Sequence, residues 1–269
     1  MSPQITSVQK SQEVSALLSL PDSHIIAGGT SFSRDPREGM FLVDITTIEG
    51  LDTISLKGTH IILGPLVTLE TLADSPLIKK FAPSLAESAA AAAPEDIRIR
   101  GTLGGNLADK RIGDCSTALL AAGAKLTIKT DCDYRELMLD RFWAPDGSNT
   151  LAYDEWITRI SIPVSKAPRE GEAFGRIGTW DDVSTPAAAA VRISLDENDV
   201  VTGIRGALRT GSSKIIRMFP AERILKNKTI SDHLIREAVN AMDASPALSE
   251  LLHGILQRST AMARERGSI

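Results

Sequence analysis

Two glycine-containing turns are the segments of this sequence whose composition could bind a ligand. The first follows an apolar run and consists of Ile25, Ile26, Ala27, Gly28, Gly29, Thr30 and Ser31. Glycine permits positive φ angles and lets the backbone approach a ligand without an intervening Cβ atom. Successive backbone N–H groups in such a turn can converge on a phosphate, and the two hydroxyls would add donors. Paired glycines are also a routine strand-to-loop signal, so this turn alone leaves both interpretations open.

The second turn has a similar composition and lies far along the chain. It consists of Gly101, Thr102, Leu103, Gly104, Gly105 and Asn106. On its own it could be a simple loop between helices. Asp114 follows where a helix is predicted to begin, and aspartate is among the best N-cap residues. The same carboxylate could also face a ribose hydroxyl. A dinucleotide has one diphosphate between two sugar-like arms, so the pair of turns favours a dinucleotide site more than either turn alone.

The remaining chemistry-bearing residues form no catalytic or metal-binding pattern. The common nucleotide-loop, nucleophile-elbow and zinc-helix motifs are absent. The histidines and cysteines are scattered without ligand spacing, at His24, His60, His233, His253, Cys115 and Cys132. Two cysteines are too few for an iron–sulfur cluster or a structural zinc ion. We therefore predict no catalytic residue and no metal ligand among the side chains of this sequence.

The composition narrows the class of protein. The chain has 269 residues, 42% of them hydrophobic and 24% charged, with a formal net charge of -4. Such values are typical of a globular protein, and the mild acidity argues against nucleic-acid binding, which needs a basic face. No apolar stretch approaches the roughly 20 residues of a membrane span. The N-terminus is too polar for a secretory signal, so we expect a cytoplasmic protein without a membrane span.

Periodicity and capping residues predict an α+β protein in three blocks. The first, to about residue 50, would hold a short helix and two strands around the first turn. The second, to about residue 165, would hold strands and several helices around the second turn. Its helix signals are Ser75 with Pro76, a capping box of Ser84 with Glu87, and Asp114 with Gly123. The third block has three strand-like segments, two of them joined by a turn at Asp196–Asp199, and then helices.

A series of motifs follows in a fixed order over nearly the whole chain. They are Ala27–Thr30, Leu42–Ile45, Ile62–Thr68, Ser75–Ile78, Ile97–Arg98, Thr102–Asn106, Asp114, Ala118–Leu120, Phe174, Asp181–Ser184, Ile204–Leu208 and Glu222. This order resembles the FAD-binding subunits of molybdopterin dehydrogenases, the family of the xanthine and carbon monoxide dehydrogenase flavoproteins. The turn from Thr102 to Asn106, with its downstream aspartate, is the most specific part of the resemblance.

The resemblance implies a fold and a domain organisation. Residues 1–165 would form a two-subdomain FAD-binding fold like that of vanillyl-alcohol oxidase, with subdomains of about 1–50 and 51–165. Residues 166–269 would form a C-terminal α+β domain with a three-stranded antiparallel sheet.

The resemblance also implies which residues hold FAD. The first turn, from Ile25 through Phe32, would wrap the diphosphate. Residues 102–106 would contact the diphosphate and the flavin side, and Asp114 would contact ribitol or ribose hydroxyls.

Two further positions are implied less directly by the same resemblance. Main-chain groups near Trp156 or Ile157 would contact the flavin or the adenine region. Arg176 stands where the family places a lysine close to the flavin.

The function implied is electron transfer within a complex. Substrate would be hydroxylated at a molybdenum cofactor in a large subunit, and electrons would pass through iron–sulfur clusters of a small subunit to FAD in this chain. NAD or another acceptor would then be reduced. Two alternatives remain: a cofactor-free interaction subunit that has kept the fold, and a self-contained flavin oxidase. We also expect Gly104→Val to abolish flavin retention while the chain still folds.

The chain departs from the family pattern at several positions, and the departures near Ser148 and Arg176 favour the first alternative. Ile99 replaces an asparagine, the loop at 107–113 is shortened, and Ser148 with Asn149 replaces a usual aromatic residue. The last change alters how the face of a flavin would be covered.

Overall fold

A computed structural model describes residues 4–31, 40–109, 113–165, 167–178, 187–211 and 214–266 of the chain. Phe32 and the segment Asp181–Ser184, both noted in the sequence, lie outside the described residues.

The described residues up to Asp44 form a small parallel sheet with one helix. Its elements are β1 Gln4–Ser7, α1 Ser11–Leu18, β2 Ser23–Ile26 and β3 Phe41–Asp44. The strand order is β1-β3-β2, and β3 pairs in parallel with both neighbours. The strand β1 was not predicted, because its four residues contain only one apolar side chain. This sheet places the first glycine turn directly after β2.

The described residues between 54 and 163 form an antiparallel sheet with six α-helices, and the strand order is β4-β5-β8-β6-β7. Its elements are β4 Ile54–Lys57, β5 His60–Leu63, α2 Leu69–Asp74, α3 Pro76–Phe81, α4 Pro83–Ala91, α5 Glu95–Arg98, α6 Leu103–Ala108, α7 Asp114–Ala122, β6 Lys125–Lys129, β7 Tyr134–Met138 and β8 Trp156–Pro163. Trp156 of β8 is buried in the same apolar cluster as Val14 and Val43, so the two subdomains share a core.

Within the described residues the C-terminal sheet has four strands, and the prediction of three was wrong. Its elements are β9 Arg169–Ile177, β10 Ala187–Leu195, β11 Val201–Thr210, β12 Lys214–Arg217, α8 Phe219–Leu225, α9 Asp232–Asn240 and α10 Pro246–Arg266. The order is β12-β11-β10-β9, and every pairing is antiparallel. The added strand β12 has only two apolar residues between two basic ones, too short a pattern to predict a strand.

Helix signals in the sequence were right where the cap itself binds the backbone. Ser75 accepts from the N–H of Ile78, with Pro76 at the first position of α3. Gly123 ends α7 in the left-handed region at φ 74°. The capping box at Ser84 was wrong, since Ala82 precedes α4 and the Ser84 hydroxyl donates to Glu172, 2.7 Å away. The partner is 88 residues away in sequence, so no local pattern could predict it.

Helix α7 packs between the sheet that contains β6 and the C-terminal sheet. All nine of its residues are buried. The apolar cluster around it includes Leu126 from β6 together with Ala188 from β10 and Ala207 from β11. The two parts of the chain therefore share a continuous core across this helix. None of the helices in the described part of the chain is long and apolar enough to cross a membrane.

Candidate functional site

The first glycine turn needs glycine at two adjacent positions for different reasons. A Cβ atom at Gly28 would lie 1.7 Å from the carbonyl oxygen of Arg100, so the backbone there touches another segment directly. Gly29 has φ +69°, a backbone conformation that residues other than glycine rarely adopt. The turn is therefore built on backbone contact and a left-handed residue, as a phosphate-binding nest requires.

This turn leaves backbone donors without acceptors. Within the described residues, the N–H groups of Ala27, Gly28 and Gly29 donate no hydrogen bond. Buried or half-buried N–H groups are normally paired. The Arg100 guanidinium lies beside them, with its Nη2 atom 4.0 Å from the position of a Cβ atom on Gly29. Three adjacent N–H groups next to a cation form an arrangement suited to an anionic oxygen group such as a diphosphate.

Sequence reasoning missed Arg100. It directly precedes the second turn, but it lies far in sequence from the first turn that it faces. In the described part of the chain, no carboxylate pairs with its side chain. An arginine flanking a glycine-rich segment was the available signal, and only the fold shows which turn it faces.

The second glycine turn is the start of a helix. Thr102 is the N-cap of α6, and its hydroxyl accepts from the N–H of Gly105 at 3.1 Å. The N–H of Leu103 donates to Val67 at 2.9 Å, and that of Gly104 donates to Pro65 at 2.8 Å. The interpretation of this segment as an open loop was therefore wrong. Most of its backbone donors already have acceptors within the protein.

The two glycines of this segment have different surroundings. A Cβ atom at Gly104 would lie 2.8 Å from Pro65 Cβ and 2.9 Å from the Pro65 carbonyl oxygen. Gly105 is exposed, and the only atom near a Cβ there is the Thr102 hydroxyl at 3.1 Å. Gly104 therefore serves the packing of α6. The Gly104→Val substitution is now expected to lower stability as well as flavin retention.

The fold brings the two predicted turns together. Besides the contact of Gly28 with Arg100, the Ser31 hydroxyl donates to the carboxylate of Asp109 at the end of α6. A Cβ atom at Gly101 would lie 3.8 Å from the Thr30 hydroxyl. Segments about 70 residues apart thus form one surface, as the hypothesis of a shared ligand requires.

Asn106 contributes a buried polar atom to this surface. Its Oδ1 atom is buried and has no hydrogen-bond partner in the described part of the chain. Its amide packs on Gly113, where a Cβ atom would lie 2.2 Å from Nδ2. Asn149, one of the noted departures, donates to the carbonyl of Ala108 at 3.1 Å and so holds the end of α6. Among the described residues, the Oδ1 atom of Asn106 is therefore an acceptor that is still open to a donor.

Asp114 makes contacts that its position in the sequence did not indicate. Gly113, not Asp114, is the N-cap of α7, and no side chain caps that helix. The Asp114 carboxylate is buried and accepts from Arg176 Nη1 at 2.9 Å and from Arg209 Nη2 at 2.6 Å. Because Gly113 takes the N-cap position, the N-cap interpretation was wrong, while the contact of Asp114 with a ribitol or ribose hydroxyl stays a prediction.

Two other predicted site residues, Arg176 and Ile157, are also largely buried. Arg176 also donates to the carbonyl of Ala91, and its side chain is 15% exposed. Ile157 is a buried core residue of β8, 5% exposed, so only its main chain could reach a ligand. Among the described residues, no group of three histidine, cysteine or acidic side chains could hold a metal ion.

Comparisons with known proteins agree on one family. The chain is 27% identical over 249 residues to the nicotine 6-hydroxylase medium subunit of Paenarthrobacter nicotinovorans, covering 91% of this chain and 87% of that one. It is 27% identical to the carbon monoxide dehydrogenase medium chain of Hydrogenophaga pseudoflava, over 90% of this chain and 85% of the relative. A solved structure of carbon monoxide dehydrogenase from the same organism has the same fold, with a TM-score of 0.88 at 23% identity over 97% of this chain and 98% of that chain. Residues 2–165 match the model of the FAD binding domain in molybdopterin dehydrogenase. The chain therefore belongs to this family of oxidoreductase subunits, whose cofactor is FAD.

Proposed function

We propose that this chain is the FAD-carrying electron-transfer subunit of a molybdenum hydroxylase complex. Its partners would be an iron–sulfur small subunit and a large subunit with the molybdenum cofactor, and its acceptor NAD or another oxidant. The names of two relatives support this proposal, since both are medium subunits of a hydroxylase or a dehydrogenase. When bound, FAD supplies the capacity to take up and pass on electrons. The chain itself supplies binding, orientation and electrostatics.

The diphosphate of FAD would bind at the first turn. The observation that carries this assignment is the set of three adjacent N–H groups, at Ala27, Gly28 and Gly29, that have no acceptor in the described part of the chain. Arg100 would add a guanidinium to the same anion. Hydrogen bonds to a charged group contribute about 1.5–3 kcal/mol each. Three backbone donors and one guanidinium would therefore be enough to bind the diphosphate without a cluster of further charged side chains.

The second turn would act mainly through Asn106 and the shape of its glycine surface. Its backbone donors bind within the protein, but the buried Oδ1 atom of Asn106 is an unused acceptor. Gly105 is exposed and leaves open backbone beside it. We therefore propose that this segment shapes the site and accepts a hydrogen bond from a ligand hydroxyl. The first turn would bind the negative charge of the diphosphate.

Three assignments implied by the family resemblance stay proposals. These are a flavin-side role for Arg176, a main-chain contact at Ile157, and the division into an FAD-binding domain of residues 1–165 and a C-terminal domain of residues 166–269. We add that Ile99, 53% exposed beside Arg100, offers an apolar surface to the ligand.

The assignment of the diphosphate is tested by Arg100→Gln in the full chain. Titrating the flavin-free protein with FAD, followed by flavin fluorescence, should show a dissociation constant raised about tenfold, equivalent to about 1.4 kcal/mol. Arg223→Gln is the matched control, because Arg223 is an exposed arginine on α8 of the C-terminal domain. It removes the same charge and should leave the dissociation constant unchanged. An equal effect of both substitutions, or of neither, would contradict the assignment.

A further inference from the structure

We propose that Arg209 is a positioning residue for the flavin site, which it reaches through Asp114. Arg209 lies on β11 of the C-terminal sheet, and Asp114 is the first residue of α7. The sheet would thereby fix the position of the first residue of α7, and with it the position of Gly113 beneath the second turn. This inference rests on the proposed placement of FAD at the two glycine turns.

The first step is that the Asp114 carboxylate is buried and bound on both of its oxygens. Asp114, Arg176 and Arg209 have side chains that are only 5%, 15% and 6% exposed. One oxygen of the Asp114 carboxylate accepts from Arg209 and the other accepts from Arg176. Charge-assisted hydrogen bonds of this kind are strong and directional. The carboxylate therefore has one orientation, fixed by two residues of the C-terminal sheet.

The second step is that the same sheet holds the other end of α7. Arg192 of β10 donates to the carbonyl of Ala122 at 3.1 Å, and Arg205 of β11 donates to the carbonyl of Leu120 at 3.4 Å. Cationic side chains at a helix C-terminus satisfy its free carbonyls and its partial negative charge. Helix α7 is thus fixed at both ends by arginines of the C-terminal sheet.

The third step connects Asp114 to the site. Its neighbour Gly113 is in contact with the amide of Asn106, where a Cβ atom would lie 2.2 Å from Nδ2. A shift of the start of α7 would therefore move Gly113 against Asn106, whose unused Oδ1 atom faces no partner among the described residues. Arg209 acts on the flavin site through this chain of contacts, without touching the ligand.

The fourth step is electrostatic. Two guanidinium groups share one carboxylate, so the cluster carries one surplus positive charge. The Nε atoms of both Arg176 and Arg209 are buried and without a hydrogen-bond partner in the described part of the chain. A buried surplus charge acts over a longer distance than an exposed one because water screens it less. It would favour a flavin that has gained electrons, which raises the reduction potential of the bound cofactor.

The test compares Arg209→Met with the matched control Arg205→Gln in the full chain. Arg209→Met leaves Asp114 paired with Arg176, so the chain should still fold. We expect the dissociation constant for FAD to rise about tenfold and the reduction potential of the bound flavin to become more negative. Arg205→Gln removes one positive charge from the other end of α7 and should lower only the melting temperature.

Two further variants keep the proposal falsifiable. Arg209→Lys keeps the charge without the planar donor geometry, so the potential should be retained while FAD binds more weakly than in the wild type. Asp114→Asn should weaken FAD binding at least as much as Arg209→Met, because it removes the charged acceptor of both Arg209 and Arg176. An unchanged dissociation constant and potential in Arg209→Met, or in Arg209→Lys if the former does not fold, would overturn the positioning role.

The result of Arg100→Gln separates this inference from the function on which it rests. If Arg100→Gln weakens FAD binding and Arg209→Met does not, only the positioning role fails. If Arg100→Gln has no effect, the placement of FAD at the turns fails first.

Discussion

The two glycine turns resemble each other in sequence and differ in the partners of their backbone N–H groups. In the first, the donors of Ala27, Gly28 and Gly29 have no acceptor among the described residues. In the second, Thr102 caps a helix, and Leu103 and Gly104 donate to a neighbouring segment. The comparison teaches that threonine with paired glycines marks either a phosphate nest or a capped helix start. Which one forms depends on the segment packed against it.

The reason for the difference lies in the residues before each turn. Gly28 follows the parallel strand β2, which ends at Ile26, so the backbone N–H groups after it no longer pair with the neighbouring strand. The stretch from Thr102 instead bridges to Thr68, which brings Pro65 and Val67 within reach of its donors. The following predictions test this division, beginning with the largest expected effect.

Gly28→Ala should weaken both the fold and FAD binding. The new methyl group would meet the Arg100 carbonyl oxygen, 1.7 Å away in the present structure, and backbone must move. We expect the free energy of unfolding in urea to fall by roughly 1–3 kcal/mol, the usual cost of overpacking. FAD affinity should also drop, because the turn and Arg100 would separate. Gly254→Ala on α10 is the control, because a Cβ atom there meets nothing within 4 Å, and it should lower neither quantity. Wild-type stability in Gly28→Ala would show that the contact between the turns is not as close as described.

Thr102→Ala should affect stability through the helix alone. It removes the hydroxyl that accepts from Gly105 at 3.1 Å, and loss of such a cap costs about 1 kcal/mol. Thr102→Ser keeps the acceptor and should restore most of this amount. Chemical denaturation of the three proteins measures the difference. If Thr102→Ala proved as stable as the wild type, the second turn would not be a capped helix start.

Cys115 gives the smallest expected signal and reports on the second region alone. Burial raises the pKa of its thiol from 9.0 to about 12, so the reactive thiolate is suppressed in the folded chain. A thiol reagent at neutral pH should modify the exposed Cys132 and spare Cys115 until the protein unfolds. The neutral thiol is favoured in the fold, so stability should be lost as pH rises above about 9, the thiol's ordinary pKa. Thr102→Ala should speed the modification of Cys115, and Arg100→Gln should not. Rapid labelling of native Cys115 would mean that α7 is not buried as described.

Much of the architecture could be predicted from local patterns. The α+β class, the strands at β5, β8 and β10, the turn at Asp196–Asp199 and the caps at Ser75 and Gly123 agree with the structure. The short strands β1 and β12 could not, because four-residue segments with few apolar side chains carry no periodic signal. They form because a neighbouring strand already offers a ladder of hydrogen bonds.

The candidate site divides in the same way. The sequence determined the composition of the two glycine segments and their order along the chain. Through that order it determined the resemblance to an FAD-binding family, because neither property depends on how the chain packs. Only the tertiary structure decided which turn keeps its donors, that Arg100 faces Gly29, and that Asp114 binds Arg176 and Arg209. The physical reason is that a polar group takes the partners that packing brings within hydrogen-bond distance, and those partners lie 62 and 95 residues away from Asp114 in the chain.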